Sequence, residues 1–252
     1  MDRKLPQRFW EIDFLRGIAI IMMVLYHLLY NLHYFGHYNI NVYSGFWMYF
    51  ARTTATIFIF LVGVSLTLSF SKAIKSNLNE KKLFLKYLRR GLKIFSWGLI
   101  ITLVTWVFLR EGCVVFGILH FIGISIILAY FFLKLRLWNL LIGILFIFLG
   151  LYLKSFTVNF SWLVWLGFKP AHFYTIDYFP LFPWFGVVLI GLFIGNLIYP
   201  DYSRKFYLQD FSNFSIIKSF CFLGKHSLLI YLIHQPLIIA LLYLLGISNI
   251  NL

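Results

Sequence analysis

Long apolar stretches separated by short polar or basic loops dominate the pattern along this chain. A membrane-spanning helix needs about 20 apolar residues, and the apolar positions here run without a break instead of alternating, so helices are favoured over strands. The predicted spans cover residues 9–31, 47–71, 92–110, 114–133, 137–153, 178–199 and 227–246. The sequence therefore predicts an all-α, polytopic membrane helix bundle of about seven transmembrane helices, forming a single domain over residues 1–252.

Two further apolar stretches are too short to cross a bilayer. Residues 156–168 are rich in Trp and Phe, and we expect an interfacial or re-entrant segment there on the outer side. Residues 211–223 mix apolar and polar positions, and we expect an amphipathic segment that lies on the inner leaflet.

Composition supports a membrane protein. The 252 residues are 62% hydrophobic and only 12% charged, whereas an ordinary soluble domain has about 25% charged residues. This excludes a soluble enzyme, a disordered tail and a disulfide scaffold. Cys113 and Cys221 fall on opposite sides of the predicted topology and are not expected to pair. The first span carries Arg16 and has no small-residue cleavage site, so no cleavable signal peptide is expected.

The basic residues predict the orientation. Seventeen of the 22 lysines and arginines lie at the N-terminus or in loops on the same side, while the other side carries Arg110, Lys154 and Lys169. Positive charge gathers in cytoplasmic loops, so the N-terminus is predicted to be cytoplasmic. The net charge of +14 is therefore assigned to topology, and no nucleic-acid partner is expected. The predicted location is the cytoplasmic membrane, in multi-pass form.

The first span is the richest in polar residues: Asp13, Arg16, His27 and Asn31. Arg16 and His27 are 11 residues apart, which is about 20° from a whole number of helical turns and about 16 Å along the axis. They therefore share one face, with Asp13 beside Arg16. Ionisable groups inside a bilayer are costly and point to function. The alternative is a structural role for these residues. Asp13 and Arg16 would then form an ion pair that locks the first span to a neighbouring helix, and His27 would have its hydrogen bonds satisfied within the core.

The run EIDFLRGIAIIMMVLYHLLYNLHYFG resembles the first helix of the transmembrane acyltransferases. It is similar to prokaryotic relatives of the heparan-alpha-glucosaminide N-acetyltransferase catalytic domain, and Arg16 and His27 show the Arg-x10-His spacing of acyltransferase-3 sugar O-acetyltransferases. IFIFLVGVSLTLS, FGILHFIGISIIL, DYFPLFPWFGVVLIGLFIG and LGKHSLLIYLIHQPLI also fit, so the resemblance covers nearly the whole chain. Many relatives have more helices.

The resemblance implies that an acyl group, most simply acetyl, moves from cytoplasmic acyl-CoA to a hydroxyl or amine of a carbohydrate-type acceptor at the outer face. Acetyl-CoA or another acyl-CoA is then the co-substrate, and no metal is expected. Membrane lipids are the other expected partners, and a homo-oligomer is compatible with the sequence.

Histidine is suited to act as the general base, because its pKa lies near neutrality. His27 is the first candidate for the catalytic base. His37 is the second, since the eukaryotic N-acetyltransferase resemblance implies an essential histidine in the loop after the first span. Asp177 is a third candidate catalytic residue, either orienting a histidine or binding acceptor hydroxyls, with helix capping as the structural alternative. Direct transfer and an acyl-histidine intermediate are both compatible with these residues.

Other polar residues are candidates for binding, each with a structural alternative. The residues assigned to the CoA side are Asp13, Arg16, Arg52, Arg89, Arg90 and His120. For the arginines the alternatives are snorkelling to the interface and positive-inside anchoring. The residues assigned to substrate binding in the last helix are Ser227, Tyr231, His234 and Gln235, and a packing network is their alternative.

Two other classes of protein also carry polar residues within membrane spans. A transporter or flippase for a lipid-linked sugar would also explain intramembrane charges, but the chain has no inverted repeat. A membrane cytochrome b would use His27, His120 or His234 as haem ligands, but no repeated pair of histidine-bearing helices is present. The acyltransferase interpretation is favoured over both.

Overall fold

The structure is a computed structural model that describes residues 8–36, 38–109 and 111–247. Almost all of its regular structure is helical, as predicted. The α-helices are α1 (Trp10–Tyr34), α2 (Gly45–Lys75), α3 (Glu80–Leu109), α4 (Ile118–Phe132), α5 (Trp138–Leu153), α6 (Leu181–Ile198), α7 (Ser215–Lys225) and α8 (Ser227–Leu244). The all-α, polytopic fold class is confirmed.

Each of the seven predicted spans contains a helix, but the helices differ in length. Five of them, α1, α2, α3, α6 and α8, are long and apolar enough to cross a membrane. α4 and α5 have 15 and 16 residues, or about 22–24 Å at 1.5 Å per residue, which is less than the hydrocarbon core of about 30 Å. α3 begins at Glu80 instead of near residue 92, because its basic first turns are also helical.

The described chain divides into two compact units. The first contains residues up to Phe58 together with those from Leu208 onward, and the second runs from Ile59 to Tyr207. α2 passes from one unit into the other. The single domain over residues 1–252 stays a prediction.

In the first unit, α1 packs against α7 and α8. The contact with α7 is very close and uses two glycines. A Cβ at Gly17 would collide with the backbone of Phe220, and a Cβ at Gly224 would collide with the carbonyl group of Asp13. Close approach through small residues is typical of helix pairs in membranes. α7 confirms a helix within the predicted amphipathic segment 211–223.

In the second unit, α3 packs against α4, and α5 against α6. Facing glycines again allow the close approach: a Cβ at Gly143 would lie 2.9 Å from the carbonyl oxygen of Gly186. Residues 156–168 form no α-helix. Thr157–Val158 (β1) pairs in parallel with Lys169–Pro170 (β2), and a short 3₁₀ turn, Val164–Leu166, lies between them. Cys113 and Cys221 are both free.

Candidate functional site

Two histidines meet between α1 and α8. The ring centroids of His27 and His234 are 4.7 Å apart, with an angle of 74° between the ring planes. His234 is buried and His27 is half-buried. The ring of Tyr26 also contacts His27 edge-on, at 5.7 Å between centroids. α1 therefore turns His27 toward other protein groups in this unit.

Hydrogen bonds to the backbone define how these two rings carry their protons. His27 Nδ1 lies 2.8 Å from the carbonyl oxygen of Met23, and His234 Nδ1 lies 2.6 Å from that of Tyr231. A carbonyl oxygen can only accept, so Nδ1 carries the proton in both rings. In a neutral imidazole the other nitrogen, Nε2, then has a free lone pair. Both rings are thus held in the tautomer that a general base requires.

The Nε2 atom of His234 is buried, and no described residue forms a hydrogen bond with it. A buried polar atom without a hydrogen bond is destabilising. Such atoms are rare in native structures, so each one calls for an explanation. One explanation is a bound molecule that donates a hydrogen bond.

An amide pair links the same two helices one turn further along α1. Asn31 is buried, and its Nδ2 donates to Gln235 Oε1 at 2.7 Å and to the carbonyl oxygen of His27 at 2.8 Å. This pair fixes the register of α1 against α8 and so the separation of the two imidazoles. Asn31 was a candidate from the sequence, but its role in joining the helices was not predicted.

The other polar residues predicted in α8 lie on its first two turns. Ser227 and Tyr231 are both half-buried, and the Tyr231 ring lies 5.5 Å from that of His234. The structure therefore brings together His234, Gln235 and Tyr231 with His27, whereas no described contact joins Ser227 to this cluster.

An ion pair lies near the first turn of α1. Arg16 donates to Asp13 Oδ1 at 3.1 Å, and Arg8 approaches Asp13 Oδ2 at 3.8 Å. Asp13 is only 4% exposed, whereas the side chain of Arg16 keeps 22% of its surface accessible. The predicted pairing of Asp13 with Arg16 is present in the structure.

The α7 helix covers this ion pair from one side. Cys221 Sγ donates to the carbonyl oxygen of Trp10 at 3.3 Å. Burial raises the pKa of the Cys221 thiol, and the nearby Asp13 carboxylate acts in the same direction. The thiol is therefore held in its neutral form, as part of the packing between α1 and α7.

In the second unit, His120 lies in a closed hydrogen-bond network at the start of α4. Its Nδ1 accepts from the N–H of Gly117 at 3.3 Å, and its Nε2 lies 3.2 Å from Thr102 Oγ1. Thr102 donates to the carbonyl oxygen of Val114 at 2.6 Å, so it accepts from the histidine. Both ring nitrogens of His120 are engaged by the chain itself. Sequence reasoning missed Thr102, and its only signal was a hydroxyl within an apolar span.

Asp177 caps α4 from the loop that precedes α6. Its Oδ2 accepts from the N–H of Ile118, the first residue of α4, at 3.1 Å. Burial raises the pKa of the Asp177 carboxyl to about 6, while the hydrogen bond from Ile118 acts in the opposite direction. The structural alternative of helix capping is thus present, although on a helix distant in sequence.

The remaining predicted residues are scattered. Arg52 is exposed on α2, and Arg89 and Arg90 are exposed on α3. His37 lies outside the described residues. Residues 8–36, 38–109 and 111–247 contain no group of three or more His, Cys, Asp or Glu side chains placed to hold a metal ion.

Comparison with known proteins identifies the class. Residues 8–236 match the family described as heparan-alpha-glucosaminide N-acetyltransferase, catalytic. The match covers most of the chain, so the protein belongs to this family. No curated protein and no solved structure matches it.

Membership of this family makes the chain a membrane acetyltransferase, and the family uses acetyl-CoA as its donor. The predicted family resemblance is confirmed. The relation to acyltransferase-3 enzymes through the spacing of Arg16 and His27 stays a prediction.

Proposed function

We propose that the protein moves an acetyl group from cytoplasmic acetyl-CoA to an amine or hydroxyl of a carbohydrate-type acceptor at the outer face of the membrane. The relative named in the family description acts on a glucosaminide, which makes an amino sugar the first acceptor to test. The multi-pass topology with a cytoplasmic N-terminus belongs to the same proposal.

His27 is the proposed general base. The observation that supports it most is the hydrogen bond from His27 Nδ1 to the carbonyl oxygen of Met23, which leaves Nε2 able to accept a proton. A thioester is already activated, so removing a proton from the acceptor is the main chemical help that the protein must give. The nitrogen or oxygen of the acceptor then attacks the thioester carbonyl and the CoA thiolate leaves.

His234 is proposed to bind the acceptor beside His27. Its buried Nε2, which has no partner among the described residues, can accept a hydrogen bond from an acceptor hydroxyl or ammonium group. Tyr231 and Gln235 are proposed to complete the acceptor contacts, together with Ser227. Their proximity to the histidine pair supports this for Tyr231 and Gln235.

Asp13 and Arg16 are proposed to organise the CoA side of α1, where Arg16 retains accessible surface for an anionic ligand. Arg52, Arg89 and Arg90 are proposed as further CoA-binding residues, because their positive charge suits the phosphates of CoA. His120 was a candidate for the same role from the sequence, but both of its ring nitrogens are bonded within the chain, so we propose a structural role for it. His37 is the second candidate for the base and Asp177 the third candidate catalytic residue.

Transfer of label from radioactive acetyl-CoA to glucosamine-type acceptors tests the proposal. Membranes with wild-type protein are compared with membranes carrying His27→Ala and His37→Ala at matched expression. We expect His27→Ala to reduce the rate by about a hundredfold or more, the usual effect of removing a general base. Equal transfer by all three proteins would remove both histidines from the mechanism, and no transfer by the wild type to any sugar would refute the acceptor class.

A further inference from the structure

Cations greatly outnumber acidic residues along α2 and α3. Between Gly45 and Leu109 the sequence contains a single acidic residue, Glu80, against nine lysines and arginines. Glu80 is already paired with Lys134, in the turn after α4, with 2.6 Å between Lys134 Nζ and Glu80 Oε1. The cations nearby therefore repel one another without a compensating carboxylate on their own helices.

Three of these cations converge on one place. Lys86 and Arg90 are one turn apart on α3 and share a face. Lys72, near the end of α2, is close enough that Lys86 carries the repulsion of both Lys72 and Arg90. No described carboxylate lies within ion-pair distance of any of the three. Like charges this close repel one another, and an anion bound among them would offset that repulsion.

A contact between α2 and α3, within the second unit, lies beside these cations. Tyr87 lies beside Lys86 and Arg90 and is only 1% exposed. Its hydroxyl donates to the carbonyl oxygen of Leu66 on α2 at 3.2 Å, which ties the two helices together at this level. The three cations therefore do not depend on flexible loops for their proximity.

The turn after α6 supplies a second contact. Lys72 Nζ lies 5.8 Å from the centre of the Tyr202 ring, and Tyr202 is buried. Asp201 and Tyr202 both have positive φ values, 47° and 56°, which non-glycine residues rarely adopt. Strained backbone of this kind is concentrated at functional sites. Here the strained turn places an aromatic ring under the ammonium group and limits its freedom.

We infer that Lys72, Lys86 and Arg90 form a binding site for a phosphate group. A phosphate has enough charge and enough oxygen atoms to contact three cations at once, with Arg90 able to bind two oxygens and the lysines acting as point charges. The phosphate can come from the headgroup of an anionic lipid or from the nucleotide end of CoA. The second source rests on the proposed function, because it makes this site part of donor binding.

Direct binding measurements test the site without any acetyl transfer. Purified protein in phosphatidylcholine nanodiscs is titrated with adenosine 3′,5′-bisphosphate, a soluble phosphate compound that lacks the thioester. In a second arm, nanodiscs containing phosphatidylglycerol are used, and the lipids retained by the protein are identified by native mass spectrometry. Lys86→Gln and Arg90→Gln remove the cluster charges. Lys81→Gln removes a charge from the opposite face of α3 and is the matched control.

We expect Lys86→Gln and Arg90→Gln each to weaken binding of at least one of the two phosphate compounds by about tenfold, the effect of losing one charge-assisted contact. Lys81→Gln should bind like the wild type, and Lys86→Arg should restore binding. Loss in the nucleotide arm alone assigns the site to a soluble donor, and loss in the lipid arm alone assigns it to a headgroup.

Absence of binding in both arms, or equal loss in Lys81→Gln and Lys86→Gln, would overturn the phosphate site. Thermal unfolding of each variant is recorded in the same nanodiscs, and Lys86→Arg separates loss of charge from loss of fold. The acetyl-transfer test with His27→Ala is independent: failure of that test with phosphate binding intact refutes the catalytic proposal and not this site.

Discussion

The histidines of the two units are held in opposite ways. In the first unit, His27 and His234 each use Nδ1 to bond a backbone carbonyl of the preceding turn, and this leaves Nε2 as an acceptor. In the second unit, His120 uses both nitrogens, with Gly117 as donor to one and Thr102 as acceptor from the other. Burial of a histidine in an apolar helix therefore does not indicate chemistry by itself. The two kinds of histidine differ at Nε2, which is left as an acceptor in His27 and His234 and is bonded to Thr102 in His120.

Removing His120 should have the largest effect on stability. His120→Leu removes the acceptor of the Gly117 N–H and the donor to the Thr102 hydroxyl, which keeps its own bond to Val114, at a cost of about 2–3 kcal/mol for two buried hydrogen bonds. Acetyl transfer per folded molecule should change little. Thermal unfolding in detergent and transfer assays normalised to folded protein measure the two effects. Thr102→Ser, which keeps the hydroxyl, serves as the control, and unchanged stability in His120→Leu would contradict a structural role.

Removing His234 should have the opposite effect, with a larger change in acceptor binding than in stability. His234→Ala deletes a buried nitrogen that has no described partner, so the unfolding temperature should fall less than in His120→Leu. The KM for the acceptor should rise by about tenfold, the effect of one lost hydrogen bond to substrate, with a smaller change in kcat. Steady-state kinetics with varied acceptor check this. A rise in the KM for acetyl-CoA alone would show that His234 serves the donor instead.

Asn31 and Gln235, the amide pair between α1 and α8, should contribute to stability as one coupled unit. Asn31→Ala and Gln235→Ala each remove one side of a 2.7 Å hydrogen bond. A double-mutant cycle on stability should give a coupling energy of about 1 kcal/mol, because the second substitution costs less once the first is made. Additive effects on stability would mean that the bond contributes nothing to the register of the helices.

The effect of Asp177 on stability should be visible through pH. Its carboxyl has a pKa of about 6 in the folded chain against a usual 3.8, so the unfolded state ionises first as pH rises. The contribution of Asp177 to stability is therefore fully present below about pH 4 and is lost as pH rises through about 6. Unfolding temperatures across this range should fall less steeply in Asp177→Asn. An identical pH dependence in the variant and the wild type would show that the carboxyl ionises as freely in the folded chain as in the unfolded one.

The sequence predicted the helices well because membrane spans are marked by continuous apolar runs. The ion pair between Asp13 and Arg16 also followed from their spacing on a helix. The start of α3 was predicted too late, since the basic residues 80–93 interrupt the apolar pattern although Leu, Lys, Arg and Glu are good helix formers. Helical geometry outside the membrane does not require an apolar sequence.

The contacts within the candidate sites could not be predicted in the same way. Asn31 bonds a residue 204 positions away, and Asp177 caps a helix that starts 59 positions earlier in the sequence. Periodicity reports which face a residue occupies, but not which helix covers that face. The proton arrangement of His27 depends on a backbone carbonyl that every helical residue has, so the sequence offers no separate signal for it.

The most direct test of His27 as the general base is the initial rate of acetyl transfer by His27→Gln compared with His120→Gln, each normalised to folded protein. Glutamine is close in size to histidine and can hydrogen bond, but it is not a base. If His27 is the base and His120 is structural, His27→Gln should lose about a hundredfold or more in rate, and His120→Gln should keep a rate near that of the wild type. Equal rates in the two variants, or the greater loss in His120→Gln, would contradict these roles.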